Sequence, residues 1–245
     1  MFLLRIRQIV FTGAAAVLFS LGALCTAEGQ NENGPRQGQQ LKSGEIRLPE
    51  PLVKMGVSLN EAIYERRCIR SFSDEPLTLD HLGQLLWAGN GSRVDAVSGP
   101  TRTAPSAGGL YPVELFVVAG DVEGLEPGIY AYRSSSHSLQ LIKGGDFRPE
   151  LTESALMQRF IGKAPATIVI AAVYERTTRK YGERGKERYV HMDAGHAAQN
   201  IFLQVTSLGL GTTTVGAFRD RGIKQLLDAE KAEPLYLMPL GVPAE

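Results

Sequence analysis

Thr167-Ile168-Val169-Ile170-Ala171-Ala172-Val173-Tyr174 is the clearest strand in the chain: almost every residue is β-branched or alanine, and no charge interrupts it. Upstream, residues 113–119 form a second run of strand length, apolar except for Glu114. Residues 128–132 and 139–142 flank a Ser-rich turn, as a hairpin would. Helix is expected at 149–160, at 79–88, where Thr78 caps and Gly89 stops it, and at 58–67, which Ser58-Leu59-Asn60-Glu61 opens as a capping box. Residues 90–109 read as a Gly/Ser/Pro-rich loop and 175–188 as a charged loop dotted with aromatics. A long helix over 189–208 follows, then a Thr/Val strand at 211–215, a short helix from Asp220 and a closing strand at 234–240. Strands and helices mix without a regular βαβ beat, so the expected class is α+β, not a doubly wound sheet.

The long helix is apolar well beyond one stripe. Ala194, Ala197, Ala198, Ile201, Val205 and Leu208 share a face, and Phe202 and Leu203 widen it. Such a helix is buried on both sides, either as a central core helix or at a subunit interface, and the interface is the reading preferred here. The 245 residues carry 26 Lys and Arg against 26 Asp and Glu. That balance argues against a nucleic-acid partner, whose binders are usually strongly basic. Arg5 and Arg7, the apolar run 9–24 and the small residues Cys25-Thr26-Ala27 have the layout of a secretory signal peptide over residues 1–27. A membrane anchor, or Cys25 as a lipid acceptor, are the competing readings. Cleavage would leave Cys68 as the single cysteine and no intrachain disulfide. Residues 28–50, poor in aliphatic side chains, read as a flexible leader, and 51–245 as one domain.

Several motifs are absent. No GxGxxG follows a strand, and no P-loop, HExxH or GxSxG occurs. His191 and His196 are five apart, on different helical faces, which makes a metal pair improbable. Four segments stand out. Arg66-Arg67-Cys68-Ile69-Arg70-Ser71-Phe72 puts three guanidiniums within five residues. If the helix breaks near Cys68 they could converge on an anion such as phosphate, which an Arg fork suits bidentately; a solvated basic turn is the alternative. Thr103-Ala104-Pro105-Ser106-Ala107-Gly108-Gly109-Leu110-Tyr111-Pro112 runs into a strand through small residues, so a flat ligand could lie against its backbone, or it is only a tight connection. Residues 212–218 have a similar character. Lys180-Tyr181 sits among Arg176, Arg179, Arg184 and Arg188; a desolvated lysine there would have a lowered pKa and could act as general base.

Taken together, these segments resemble the flavin-dependent nitroreductase superfamily, and within it the SagB-type (azoline) dehydrogenase branch. The carriers are the arginine stretch, Pro105-Ser106-Ala107-Gly108-Gly109-Leu110-Tyr111-Pro112 and Lys180-Tyr181-Gly182-Glu183-Arg184-Gly185. They continue with Asp193-Ala194-Gly195-His196-Ala197-Ala198-Gln199-Asn200, Leu208-Gly209-Leu210-Gly211, Gly216-Ala217-Phe218 and Pro239-Leu240-Gly241. The resemblance spans about 58–244. It implies an α+β fold with a central mixed or antiparallel sheet, a homodimer formed through long central helices, and FMN at the subunit interface. Arg66, Arg67, Cys68 and Arg70 then look like the phosphate cradle, with Cys68 where the family usually has serine. Pro105, Ser106, Ala107, Gly108 and Gly109 look like the loop along the isoalloxazine, and Val215, Gly216 and Ala217 like the backbone facing flavin N5. Lys180 and Tyr181 are similar to the pair that azoline dehydrogenases use near the flavin. The implied activity is two-electron hydride transfer through flavin N5, to or from a small organic substrate, with NAD(P)H or a redox protein as donor. An exported, periplasmic location sits uneasily with a nicotinamide donor. An exported flavin-binding or scaffold protein without turnover, and an anion-binding domain without flavin, are the other readings.

Overall fold

The computed structural model describes residues 39–40, 44–54, 56–97 and 99–244. The signal-peptide reading of 1–27 and much of the leader lie outside the described residues. In chain order the strands and helices are β1 (Gln39–Gln40), β2 (Glu45–Arg47), α1 (Leu59–Glu65), β3 (Leu77–Thr78), α2 (Leu79–Asn90), β4 (Ser92–Asp95) and β5 (Gly99–Arg102). Then come β6 (Val113–Ala119), β7 (Val122–Glu123), β8 (Gly128–Arg133), β9 (Ser138–Gly144), α3 (Arg148–Ser154), α4 (Arg159–Lys163) and β10 (Ala166–Ala172). The chain closes with α5 (Glu175–Tyr181), α6 (Val190–Ser207), β11 (Gly211–Thr212), α7 (Asp220–Leu227) and β12 (Glu233–Gly241).

One sheet organises the protein, in the order β1-β2-β9-β8-β6-β10-β12-β11. Every pairing in it is antiparallel. Side chains alternate across a strand, and here both faces are covered. Leu115, Val117, Ile168, Ile170, Met238 and Leu240 join one core with Leu82, Leu85, Leu86, Ala197 and Ile201 of α2 and α6. Phe116, Val118, Val169, Ala171 and Leu237 face the other way, onto Leu151, Ile161, Ile223 and Leu227 of α3, α4 and α7. That double burial is why β6 and β10 read as nearly continuous apolar runs, interrupted by Glu114 and Thr167. The fold is thus the expected α+β layer structure.

Within one chain α6 is a core helix. It packs on α2 so closely that a Cβ on Gly89 would lie 2.8 Å from Ile201 Cδ1. Gly89 is therefore a helix-contact residue, not the stop: α2 continues to Asn90. Other expectations change too. The 149–160 helix is two helices, parted where Leu156 and Met157 take φ 58° and 61°. The 90–109 loop contains the β4–β5 hairpin, and the 175–188 loop is largely helical. The Thr/Val strand shortens to β11, with Val215 bridged separately to Leu237. Part of the expected leader belongs to the packed domain, since β2 pairs with β9 and Leu48 is only 2% exposed. His137 fastens this entry. Its Nε2 lies 2.9 Å from the Pro49 carbonyl oxygen and its Nδ1 2.8 Å from Tyr132 Oη, and burial lowers its pKa.

Candidate functional site

Ser58 caps helix α1, its Oγ accepting from Glu61 N at 3.2 Å, and the helix ends at Glu65. Arg66 leaves helical geometry, with ψ 121°. The chain then follows the sheet end: Ile69 N donates to Thr212 O at 2.8 Å, and Phe72 is bridged to Pro243. Ile69 packs so tightly on Gly211 that a Cβ there would lie 2.7 Å from Ile69 Cγ2. The three guanidiniums do not all converge. Arg66 lies over the Phe202 ring, 5.2 Å from its centre, whereas Arg67 shares a small pocket with Ile69, Glu65 and Thr206. Arg67, Cys68 and Arg70 are exposed. Among the described residues no carboxylate forms an ion pair with Arg66, Arg67 or Arg70. Like charges this close in sequence repel one another, and the exposed Arg67 and Arg70 side chains leave positive charge open to an anionic ligand group.

The loop of small residues is held by a polar stripe on α6. Asp193, His196 and Asn200 stand at i, i+3 and i+7, on one helical face. Asn200 Nδ2 donates to Thr103 O at 3.3 Å and Ala88 O at 3.1 Å, and His196 Nδ1 to Pro105 O at 3.3 Å. Asp193, 3% exposed, accepts from Ser106 Oγ at 2.6 Å and from Ala107 N at 3.1 Å. Ser106 Oγ in turn accepts from Tyr111 N at 2.9 Å. Sequence reasoning assigned this stripe no role, although the 3.6-residue period applied to its polar residues would have found it.

Held at both ends, the loop turns through Gly108 and Gly109 at φ 64° and 66°. Both are exposed, and a side chain at such φ is strained. A Cβ on Gly108 would fall 2.7 Å from Tyr181 Oη and 3.0 Å from Lys180 Nζ. The structure thus joins the Pro105–Gly109 loop to Lys180 and Tyr181. Lys180 is solvent-exposed, so this chain does not supply the expected desolvation. Nor do the neighbouring arginines crowd it freely. Arg176 pairs with Glu114 and donates to Tyr111 O at 3.1 Å, and Arg184 Nε donates to Tyr189 Oη at 2.9 Å.

Val215 exchanges backbone hydrogen bonds of 2.9 Å with Leu237, and Gly216 and Ala217 then emerge exposed. Nothing lies within 4 Å of a Cβ built on Gly216, so the backbone there is open to approach. Gln158 Nε2 donates to Ala217 O at 2.9 Å. Helix α6 spaces the other parts. Asp193 at the loop and Phe202 under Arg66 are nine residues apart, roughly 13–14 Å along a helix axis. Between α1, α2 and α6 opens a groove of about 1010 Å³, lined by Ala62, Trp87, Thr103, Asn200 and Leu203 among others. Neither Arg66 nor Gly108 lines that groove; α6 connects them, through Phe202 and Asp193.

The profile of the nitroreductase family matches residues 63–242. The chain belongs to the nitroreductase family. A nitroreductase of Methanocaldococcus jannaschii is similar to it, 46% identical over 80% of this chain and 96% of that one. So is a trifolitoxin operon protein of Rhizobium leguminosarum bv. trifolii, 25% identical over 84% of this chain and 62% of that one. Among solved structures, a nitroreductase from Ralstonia eutropha matches with TM-score 0.71 and 29% identity, over 86% of this chain and 95% of that one. An E. coli microcin synthetase complex with truncated pro-MccB17 bound shares the fold, with TM-score 0.62 and 22% identity over 80% of this chain and 79% of that one. As a nitroreductase-family protein, this chain is an oxidoreductase with the family's α+β fold.

Proposed function

We propose that this nitroreductase-family oxidoreductase is FMN-dependent and of the SagB-type dehydrogenase kind, passing two electrons to or from a small organic substrate. The observation that carries the reading is the clearance at Gly108, where a side chain would run into Lys180 Nζ and Tyr181 Oη. That approach brings a candidate general base and a candidate proton relay to the loop on which the flat part of the cofactor would rest. Bound FMN supplies hydride chemistry at its N5. This chain's residues bind and orient: Arg66 and Arg70 hold the phosphate, while Asp193 fixes the loop through Ser106 and Ala107. Lys180 takes or gives the substrate proton, and Tyr181 hydrogen-bonds the substrate. Arg67, beside Glu65, Ile69 and Thr206 instead of over Phe202, has the lesser part.

A homodimer belongs to the same proposal. Leu59, Ile63 and Tyr64 of α1 are 64%, 54% and 86% exposed beside the groove, an apolar face that a second copy would cover, desolvating the site as it did so. The electron donor would be NAD(P)H or a redox protein, and the N-terminal segment directs export to the periplasm. The likeness to a trifolitoxin operon protein and to a microcin synthetase complex supports a substrate or partner of peptide character.

Visible spectra of purified residues 28–245, with and without added FMN, test the binding. A colourless protein after incubation with FMN rejects the proposal. A yellow protein that no donor bleaches and no substrate reoxidises is instead a flavin-binding scaffold. Lys180→Ala should take up FMN normally yet turn over slowly; a fully active variant removes Lys180 from the mechanism.

A further inference from the structure

The segment carrying Lys180 and Tyr181 has an architecture of its own. After α5, Gly182 turns the chain at φ 57° and ψ −145°, a region open to glycine almost alone. Gly185–Tyr189 then winds as a π-helix into α6. Gly185 is buried against α5, and a Cβ there would lie 3.1 Å from the Thr177 carbonyl oxygen. Single π-turns are rare and recur at functional sites, where the widened turn re-aims a side chain. Here that side chain is Tyr189.

Tyr189 meets Tyr181 edge to face, with ring centres 4.9 Å apart and planes at 74°. Its own hydroxyl accepts from Arg184 Nε at 2.9 Å, and the Arg184 guanidinium also lies 5.8 Å from the centre of its ring. Tyr189 is therefore fixed by two kinds of contact. Tyr181 differs. Among the described residues its hydroxyl takes no hydrogen bond, yet it lies where a Gly108 side chain would be. A free phenol held at that point needs its ring held from behind.

We propose that Tyr189, locked by Arg184, is a positioning residue that keeps the Tyr181 hydroxyl aimed at the Gly108 turn. The functional meaning of that aim rests on the flavoenzyme reading above; the positioning itself does not. Tyr189 acts through Tyr181, so its removal should change Tyr181 first and turnover only as a consequence.

The test compares the purified parent with Tyr189→Leu, Tyr189→Phe and Arg184→Gln. Nitration by tetranitromethane, mapped by peptide mass spectrometry, reads Tyr181 directly, with Tyr174 and Tyr236 as internal references. Tyr181 should nitrate about two- to tenfold faster in Tyr189→Leu, the size of an edge-to-face pair's contribution. Tyr189→Phe and Arg184→Gln should give smaller increases of the same sign, and the reference tyrosines should not change. With flavin and substrate present, Tyr189→Leu should lower kcat, and adding it to Tyr181→Phe should cost nothing further. Equal nitration of Tyr181 in all four proteins overturns the proposal, as do additive losses in the double variant. A parent that lacks turnover sinks the flavoenzyme reading, and nitration still decides the positioning. If Tyr189→Leu does not fold, Tyr189→Phe decides.

Discussion

Asp193, in the first turn of α6, accepts hydrogen bonds from the 103–111 loop and is nearly sealed from solvent, whereas Phe202, further along the same helix, meets Arg66 only through the face of its ring. At the first end the protein has already satisfied its polar groups, so the loop is shaped before any ligand arrives. At the other, cations stand without carboxylate partners among the described residues, so their charge is left open to what binds. Orientation is built in at one end of the helix, and affinity is left open at the other.

The strongest way to break this contrast is Asp193→Ala. It strips Ser106 Oγ and Ala107 N of their acceptor in a buried setting, and should cost about 2–4 kcal/mol of stability. Flavin uptake should fall with it. Urea unfolding of the parent and variant measures the loss; a change under about 0.5 kcal/mol, the usual scatter of surface substitutions, would mean the loop is not held from α6. Asp193→Asn, which keeps an acceptor oxygen, should recover part of the stability. Arg66→Ala or Arg70→Ala should do the reverse: stability nearly unchanged, and FMN affinity weaker by about tenfold or more, one decade per 1.4 kcal/mol. That affinity should also fall as salt rises, because exposed charges are screened. Equal FMN titrations of parent and variants would remove the cradle.

Gly108→Ala probes the joint between the loop and Lys180–Tyr181. Its φ of 64° and the 2.7 Å approach of Tyr181 Oη both oppose a methyl group. The left-handed conformation alone costs a non-glycine residue about 1–2 kcal/mol. Turnover should drop more than flavin affinity does; an unchanged kcat would separate the glycine turn from the lysine–tyrosine pair.

The sheet was legible because burial on two faces leaves a plain mark: apart from Glu114 in β6 and Thr167 in β10, both strands are apolar throughout. The arginine stretch drew notice because like charge in a short span is costly without a reason, but the fold does not bring all three guanidiniums together. The 175–189 segment was not, since α5 and the π-turn are largely exposed and lack the apolar stripe by which helices are recognised; Thr177 and Gly185 are their buried residues. The β4–β5 hairpin failed for a related reason, with Val94 83% exposed and no alternation to read. Gly89 misled because a glycine near a helix end signals a stop, when its use here is to let Ile201 approach. The Asp193–His196–Asn200 stripe has the same helical period but is outnumbered by the apolar residues of α6. The path of the arginine segment is fixed by the packing of Ile69 on Gly211, a long-range contact that local sequence cannot state.

That last point yields the finest distinction between the two ends of α6. Arg67 is flanked by Arg66 and Cys68 and carries the same charge as Arg66, so a purely electrostatic cluster would weaken about equally on losing either. The fold divides them instead, with Arg66 over Phe202 and Arg67 beside Ile69, Glu65 and Thr206. Arg67→Ala should therefore change FMN affinity by no more than about twofold at moderate salt, the residue of a screened surface charge. It should leave stability within about 0.5 kcal/mol of the parent. Parallel titrations of Arg66→Ala and Arg67→Ala at two salt concentrations separate geometry from net charge. If the two variants lose affinity alike and recover alike at low salt, binding at that end is a matter of field and not of aim, and the contrast between a shaped loop and a waiting cluster would have to be redrawn.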